Sequence, residues 1–146
     1  MNIKDPVVVD NYSYASPAQR IIAFLIDYVI AIGLAQIFVF GKIVSFVYLI
    51  FRDAIPGMVG KSIGKKVLGI KAIKEQGSDF SYVTSFKRNI FFLPNLAYIF
   101  ILDKYAYYIL LCNFITFVIE IYLLYATENS ERLGDQWAGT SVVEGD

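Results

Sequence analysis

Residues 21–40 read IIAFLIDYVIAIGLAQIFVF, and only Asp27, Gly33 and Gln36 interrupt their apolar character. Twenty helical residues rise about 30 Å, the thickness of the hydrocarbon core of a bilayer. Just before the stretch, Ser16 is placed to cap a helix N-terminus, and Pro17 suits a first helical position, where its missing N–H is not needed. The reading is a membrane-spanning helix over residues 17–40.

The apolar character resumes after Gly41-Lys42 and continues to Phe51. One span cannot hold all of residues 21–51, so the chain is predicted to turn at Gly41-Lys42 and return as a second helix over 43–55, ending before Pro56-Gly57. A polar loop follows over 56–82. Within it Val67, Leu68, Ile70, Ala72 and Ile73 alternate with lysines as a short strand, with a turn at Gln76-Gly77-Ser78. A third helix is predicted over 83–102, kinked at Pro94. Asp103-Lys104 makes another turn, and a fourth helix covers 105–126. Residues 138–143 form a second candidate strand, and pairing of 66–73 with 139–143 would close the polar side. The fold class is therefore an all-α membrane protein: four transmembrane helices in two hairpins with a short cytoplasmic strand pair, in one domain over residues 1–146.

Composition agrees with this. Of 146 residues, 57% are hydrophobic and only 18% charged, against about 25% charged in an ordinary soluble domain. A soluble core of this length cannot hide so much apolar surface, because small domains bury only part of what they carry. Thirteen basic residues balance thirteen acidic ones, which argues against a nucleic-acid partner. There is no histidine, which removes the commonest metal ligand and general base, and a single cysteine, Cys112, so no intrachain disulfide. No metal, cofactor or enzymatic activity is expected. The polar stretch Met1–Ser16 lacks the cationic start and short apolar run of a signal peptide.

Lysine and arginine placement orients the chain. Lys4, Arg20, Arg52, Lys61, Lys65, Lys66, Lys71, Lys74, Lys87, Arg88 and Arg132 flank one side, and only Lys42 and Lys104 the other. The positive-inside rule then puts both termini in the cytoplasm of a multi-pass cell-membrane protein.

In that topology the ionisable residues of the apolar segments gather near the inner leaflet: Arg20 and Asp27 on the first helix, Arg52 and Asp53 ending the second, Arg88 opening the third, and Glu120 about 9 Å before the end of the fourth. Seven residues separate Arg20 from Asp27, nearly two turns, so they share a face. Charges inside a bilayer pair with one another or face water. Ala23, Asp27, Ala31 and Ala35 make a small-residue stripe suited to close helix approach, and Asn113, Thr116 and Glu120 a polar stripe on the fourth helix. Arg20, Arg52, Asp53 and Arg88 read as a charge network that ties helices together. Asp27 and Glu120, set deeper, are the candidates for an ion or substrate pathway with Asn113 and Thr116.

Three stretches together resemble the RDD family of membrane proteins: Ser16-Pro17-Ala18-Gln19-Arg20 through Asp27, Gly60-Lys61-Ser62-Ile63-Gly64-Lys65-Lys66 through Lys71, and Arg132-Leu133-Gly134-Asp135 through Val143. The resemblance covers residues 15–143 and implies Arg20, Asp27 and Asp135 as the family's signature residues. Gly134 stands where many relatives carry a histidine, which argues against a histidine-based proton step. As to function, the resemblance implies only what is suggested for some members, transport and sodium/proton exchange. By contrast, Gly57-Met58-Val59-Gly60-Lys61-Ser62 is not a phosphate loop, since that motif needs four residues between its glycines and here there are two.

Two functions stand open. One is a small transporter or exchanger of a monovalent cation and proton, with Arg20 tuning Asp27; four short helices make thin walls, so it demands a homo-oligomer. The other is a non-catalytic membrane module that binds a protein partner or anionic lipid through its basic loop.

Overall fold

The computed structural model describes residues 12–37, 40–74, 80–92 and 106–145. Helix α1 (Pro17–Ile37) opens on a reciprocal capping box: the Gln19 amide donates to Ser16 Oγ at 3.2 Å, and the Ser16 amide to Gln19 Oε1 at 2.8 Å. Its burial is inverted relative to a soluble helix. The buried positions are Arg20, Ala23, Asp27 and Ala31, while Leu25, Val29 and Ile32 are 50%, 67% and 50% exposed. Small and charged groups face the protein, and large apolar ones face outward. Water disfavours that arrangement, and lipid favours it.

Helix α2 (Gly41–Phe51) returns against α1, with Leu49 and Ile50 packed around Ala31. It begins at Gly41, not at 43, so Gly41 and Lys42 are its first helical residues and not a turn. It ends at Phe51, where a 3-10 turn over Arg52–Ala54 takes over. Eleven residues rise about 16 Å, roughly half a hydrocarbon core.

The polar segment that follows is more helical than its sequence pattern suggests. Ser62 caps a short helix α3 (Ile63–Val67), accepting from the Lys65 amide at 3.2 Å. Gly69 then turns the chain with φ at 63°, so strand β1 runs only from Ile70 to Lys74, although the Gly69 carbonyl still accepts from the Gly145 amide at 2.9 Å. Its antiparallel partner is β2 (Thr140–Glu144), in register Ile70↔Glu144 through Lys74↔Thr140. The N-terminal segment joins them: Tyr14 bridges Val143, and the Ala15 amide donates to the Val142 carbonyl at 3.0 Å. Ala15, Ala23, Ile70, Ala72 and Val142 form the core of this polar cap.

Helix α4 (Tyr82–Asn89) is capped by Ser81 and passes into a 3-10 turn over Ile90–Phe92. Regular α-helix gives way to that turn at Asn89, and the rest of the helix expected to reach 102 falls outside the described residues. The Pro94 kink, residues 93–102, the Asp103-Lys104 turn and the Gln76-Gly77-Ser78 turn lie outside the described residues. Helix α5 (Ala106–Ala126) is apolar and largely exposed along its outer faces. Helix α6 (Leu133–Ala138) precedes β2 and is closed by Gly139 with φ at 59°. Among the described residues, α1 is the one helix both long and apolar enough to cross a membrane, and α5 adds a shorter apolar run over Leu110–Ala126.

Candidate functional site: a buried charge layer

Nine charged residues are buried where α1, α2, α3, α4, α5 and α6 meet the polar cap: Arg20, Asp27, Arg52, Asp53, Lys65, Arg88, Glu120, Arg132 and Asp135. Each carboxylate has its own surroundings, and these decide what it can do.

Asp27 is closed by protein donors. Its Oδ1 accepts from the Tyr48 hydroxyl at 3.0 Å and from the Gly64 amide at 2.8 Å. Its Oδ2 accepts from Arg52 at 3.2 Å. The Gly64 contact exists because α3 comes down directly on α1: a Cβ at Gly64 would land on the Ala23 carbonyl. Arg52 is held in turn by Asn89 Oδ1 at 3.2 Å and lies over the Phe24 ring, 5.3 Å from its centroid. Asn89 completes the joint by donating to the carbonyls of Ile50 and Ser85, each at 3.1 Å.

Asp53 sits between the Lys65 ammonium, in direct contact, and Arg88 Nε at 3.5 Å. Burial and the nearby Arg88 charge lower the Lys65 ammonium to about 7, against the pull of Asp53.

Asp135 is the hub. Arg88 reaches its Oδ1 at 2.8 Å, Arg132 Nε its Oδ2 at 3.3 Å, and Arg20 contacts the same Oδ2. The Arg132 amide adds a backbone bond at 3.2 Å. Burial alone would raise this carboxyl, but the Arg132, Arg20 and Arg88 guanidinium groups hold it well below the usual range. Arg132 is raised in return, since Asp135 and Glu120 outweigh its desolvation. Arg20 also donates to the Ser130 carbonyl, at a turn where Ser130 takes φ 52°.

Arg20 therefore pairs with Asp135, and the partner of Asp27 is Arg52. The expectation that Arg20 tunes Asp27 is corrected: seven residues along a helix is about 10 Å, and both side chains find partners on other elements. Arg52, Asp53 and Arg88 join the network. Lys65, Arg132 and Asn89 join it too, although sequence reasoning left them out. The i,i+3 spacing of Arg132 and Asp135 was the available signal for one of them.

Glu120 differs from the other carboxylates. It is only 3% exposed, and its enclosed Oε2, like Asp53 Oδ2, has no hydrogen-bond partner among the described residues, but unlike Asp53 it makes no ion pair among them. It lines a cleft between α1 and α5 with Arg20, Arg132, Phe24, Phe117 and Leu124. Thr116 does not join it, because its hydroxyl bonds the Cys112 carbonyl at 2.9 Å. Asn113 lies seven residues, about 10 Å, further along α5, and its Oδ1 is enclosed without a hydrogen-bond partner among the described residues.

Outward-facing apolar helices around a buried ion-pair layer define an integral membrane protein. The family model of the RDD family matches residues 35–139, and the chain belongs to that family. The match contains the glycine-lysine loop and Asp135 and begins after Arg20 and Asp27. No curated protein and no solved structure matches the chain significantly.

Proposed function

We propose that the chain crosses the cell membrane several times with both termini cytoplasmic, and that it is a non-catalytic module whose basic cap meets anionic lipid headgroups. The observation that carries this reading is the closure of Asp27. A cation carrier needs a carboxylate that trades its partners for the ion, whereas both Asp27 oxygens are taken by Tyr48, Gly64 and Arg52. Arg20, Arg52, Lys65, Arg88 and Arg132 also outnumber Asp27, Asp53, Glu120 and Asp135. A metal cation entering that layer meets net repulsion.

Lys61, Lys66, Lys71, Lys74 and Lys87 lie exposed or half-exposed on the cap. Juxtamembrane lysines gain about 1 kcal/mol each beside an anionic leaflet. The pairing of residues 14–15 with β2 supports a common side for both ends of the chain.

Glu120 favours a second reading, proton-coupled cation exchange in a homo-oligomer, because its Oε2 is uncommitted. Flux in proteoliposomes separates the two. The module reading expects no sodium-driven proton movement, together with a stability that rises with phosphatidylglycerol content and loses that rise in K61Q/K66Q/K71Q. Proton movement in the wild type that vanishes in a folded E120Q protein would overturn it. Indifference to anionic lipid alongside capture of a soluble protein would move the role to a protein partner.

A further inference from the structure

The two halves of the chain repeat one plan. Ser16 and Ser81 cap α1 and α4 alike: the Gln19 amide donates to Ser16 Oγ and the Thr84 amide to Ser81 Oγ, both at 3.2 Å. The Arg20 and Ser85 amides then close onto the two serine carbonyls at 3.1 Å and 3.0 Å. At the same position of each helix, the Ala23 and Arg88 carbonyls receive the glycine of a short helix, Gly64 of α3 and Gly134 of α6. Around those glycines the backbone repeats at one constant spacing. Gly60 and Ser130 before them take φ of 75° and 52°, and Gly69 and Gly139 after them 63° and 59°. Ser130 is the one non-glycine residue with positive φ among those described, and its counterpart is a glycine. The strands follow in register Ile70↔Glu144, Ala72↔Val142, Lys74↔Thr140. That is the register of a two-fold axis: exchanging the halves swaps the outer pairs and returns Ala72↔Val142 to itself.

The repeat breaks where the charges meet. The third residue of the short helix is Lys65 in one half and Asp135 in the other. Across the seam Arg20 contacts Asp135, and Arg88 Nε stands 3.5 Å from Asp53. Pairing the first half with its own kind would set Lys65 against Arg20, where Asp135 stands, and Ala23 opposite Asp53, where Arg88 stands. Pairing the second half with its own kind would put Ser85 in the place of Arg20. We infer that the chain is two copies of one unit, beginning at Ser16 and Ser81 and ending with β1 and β2, docked about a pseudo-two-fold axis through Ala72 and Val142, and that the charge layer is the surface by which the first unit fits the second and rejects its own kind. Like charges set against the wrong partner are a recurrent source of such specificity. The inference does not depend on headgroup binding or on ion flux.

The test cuts the full chain. A protease site inserted between Gly77 and Ser78 is cleaved in the folded, detergent-solubilised protein. The product is unfolded in denaturant, refolded, and weighed by native mass spectrometry. The mixed pair of first and second halves is expected to exceed either self-pair by about tenfold or more. R20A removes both the bond to Asp135 and the clash with Lys65, so the ratio of the mixed pair to the first half's self-pair should fall by about tenfold. Halves that part on cleavage, self-pairs as abundant as the mixed pair, or an unchanged ratio in R20A would each overturn the inference. Where the cleaved protein does not refold, it is left folded and diluted. Wild-type halves should then stay together at a concentration at which R20A halves separate, and equal dissociation of the two would overturn the inference.

Discussion

Replacing Asp135 with alanine is expected to be the most damaging single change in the charge layer. Asp135 is fully buried and receives Arg20, Arg88 and Arg132. Removing it leaves three enclosed guanidinium groups without their shared counter-charge. Breaking one buried pair from one side costs about 3–5 kcal/mol, and the three contacts share one carboxylate, so their costs do not add. A loss of at least about 4 kcal/mol, or a thousandfold in the folding equilibrium, follows for D135A. That is a large part of a total that lies at about 5–15 kcal/mol for ordinary domains. R20A should cost clearly less, about 1–3 kcal/mol, because Asp135 keeps Arg88 and Arg132. The assay is reversible denaturant unfolding in detergent, followed by the fluorescence of Trp137, the single tryptophan, which stands on α6 with Asp135. A D135A protein within about 1 kcal/mol of wild type, less than one decade in the equilibrium, would refute the reasoning. So would R20A proving costlier than D135A.

Further outcomes can be measured in the same system. Asp135 is held low in the fold against 3.8 otherwise, so its stabilisation is complete above about pH 4 and is lost as pH falls further; D135N should flatten that acid limb. Lys65 acts in the same direction at higher pH: between about 7 in the fold and 10.5 in the unfolded chain, the unfolded state holds more protons, so stability climbs with pH in that window, and K65M should abolish the climb. G134A should lose about 2–3 kcal/mol, as overpacked sites do, because its Cβ would land on the Arg88 carbonyl; G134H, larger still, should be worse, and an unchanged melting temperature in either would contradict the close approach of α6 to α4. A hydrophobic carbodiimide should label Glu120 and spare Asp27, whose carboxylate is tied to Arg52; peptide mass spectrometry reads the site, and labelling at Asp27 would reverse the assignment of the open carboxylate.

Legibility in the sequence followed the length of the element. The apolar run behind α1 announced itself, and its Ser16-Pro17 start was visible because capping is local chemistry, while the reciprocal bond from Gln19 emerged only in the structure. Helices α3 and α6, five and six residues long, are too short to carry a period, and the last two residues of α3 were read as the start of a strand. Asn89 was not singled out because it turns its side chain onto the Ile50 and Ser85 carbonyls, a tertiary role that no periodicity records. Lys65 and Arg132 looked like solvated loop cations and are buried, since burial there depends on how closely other elements approach.

That approach is set by two glycines. Gly64 lets α3 touch α1 at the Ala23 carbonyl, which brings an amide to Asp27 and Lys65 to Asp53. Gly134 lets α6 touch α4 at the Arg88 carbonyl, which brings Asp135 to Arg88 and Arg20. Arg20 and Asp27 looked like partners because they share a helix face, yet each is answered by a carboxylate or guanidinium carried in from elsewhere. The charges of α1 are thus sockets for the rest of the chain, one for the end of α2 and one for α6. Glu120 makes no such joint: its enclosed Oε2 has no hydrogen-bond partner among the described residues, although Arg20 and Arg132 stand beside it.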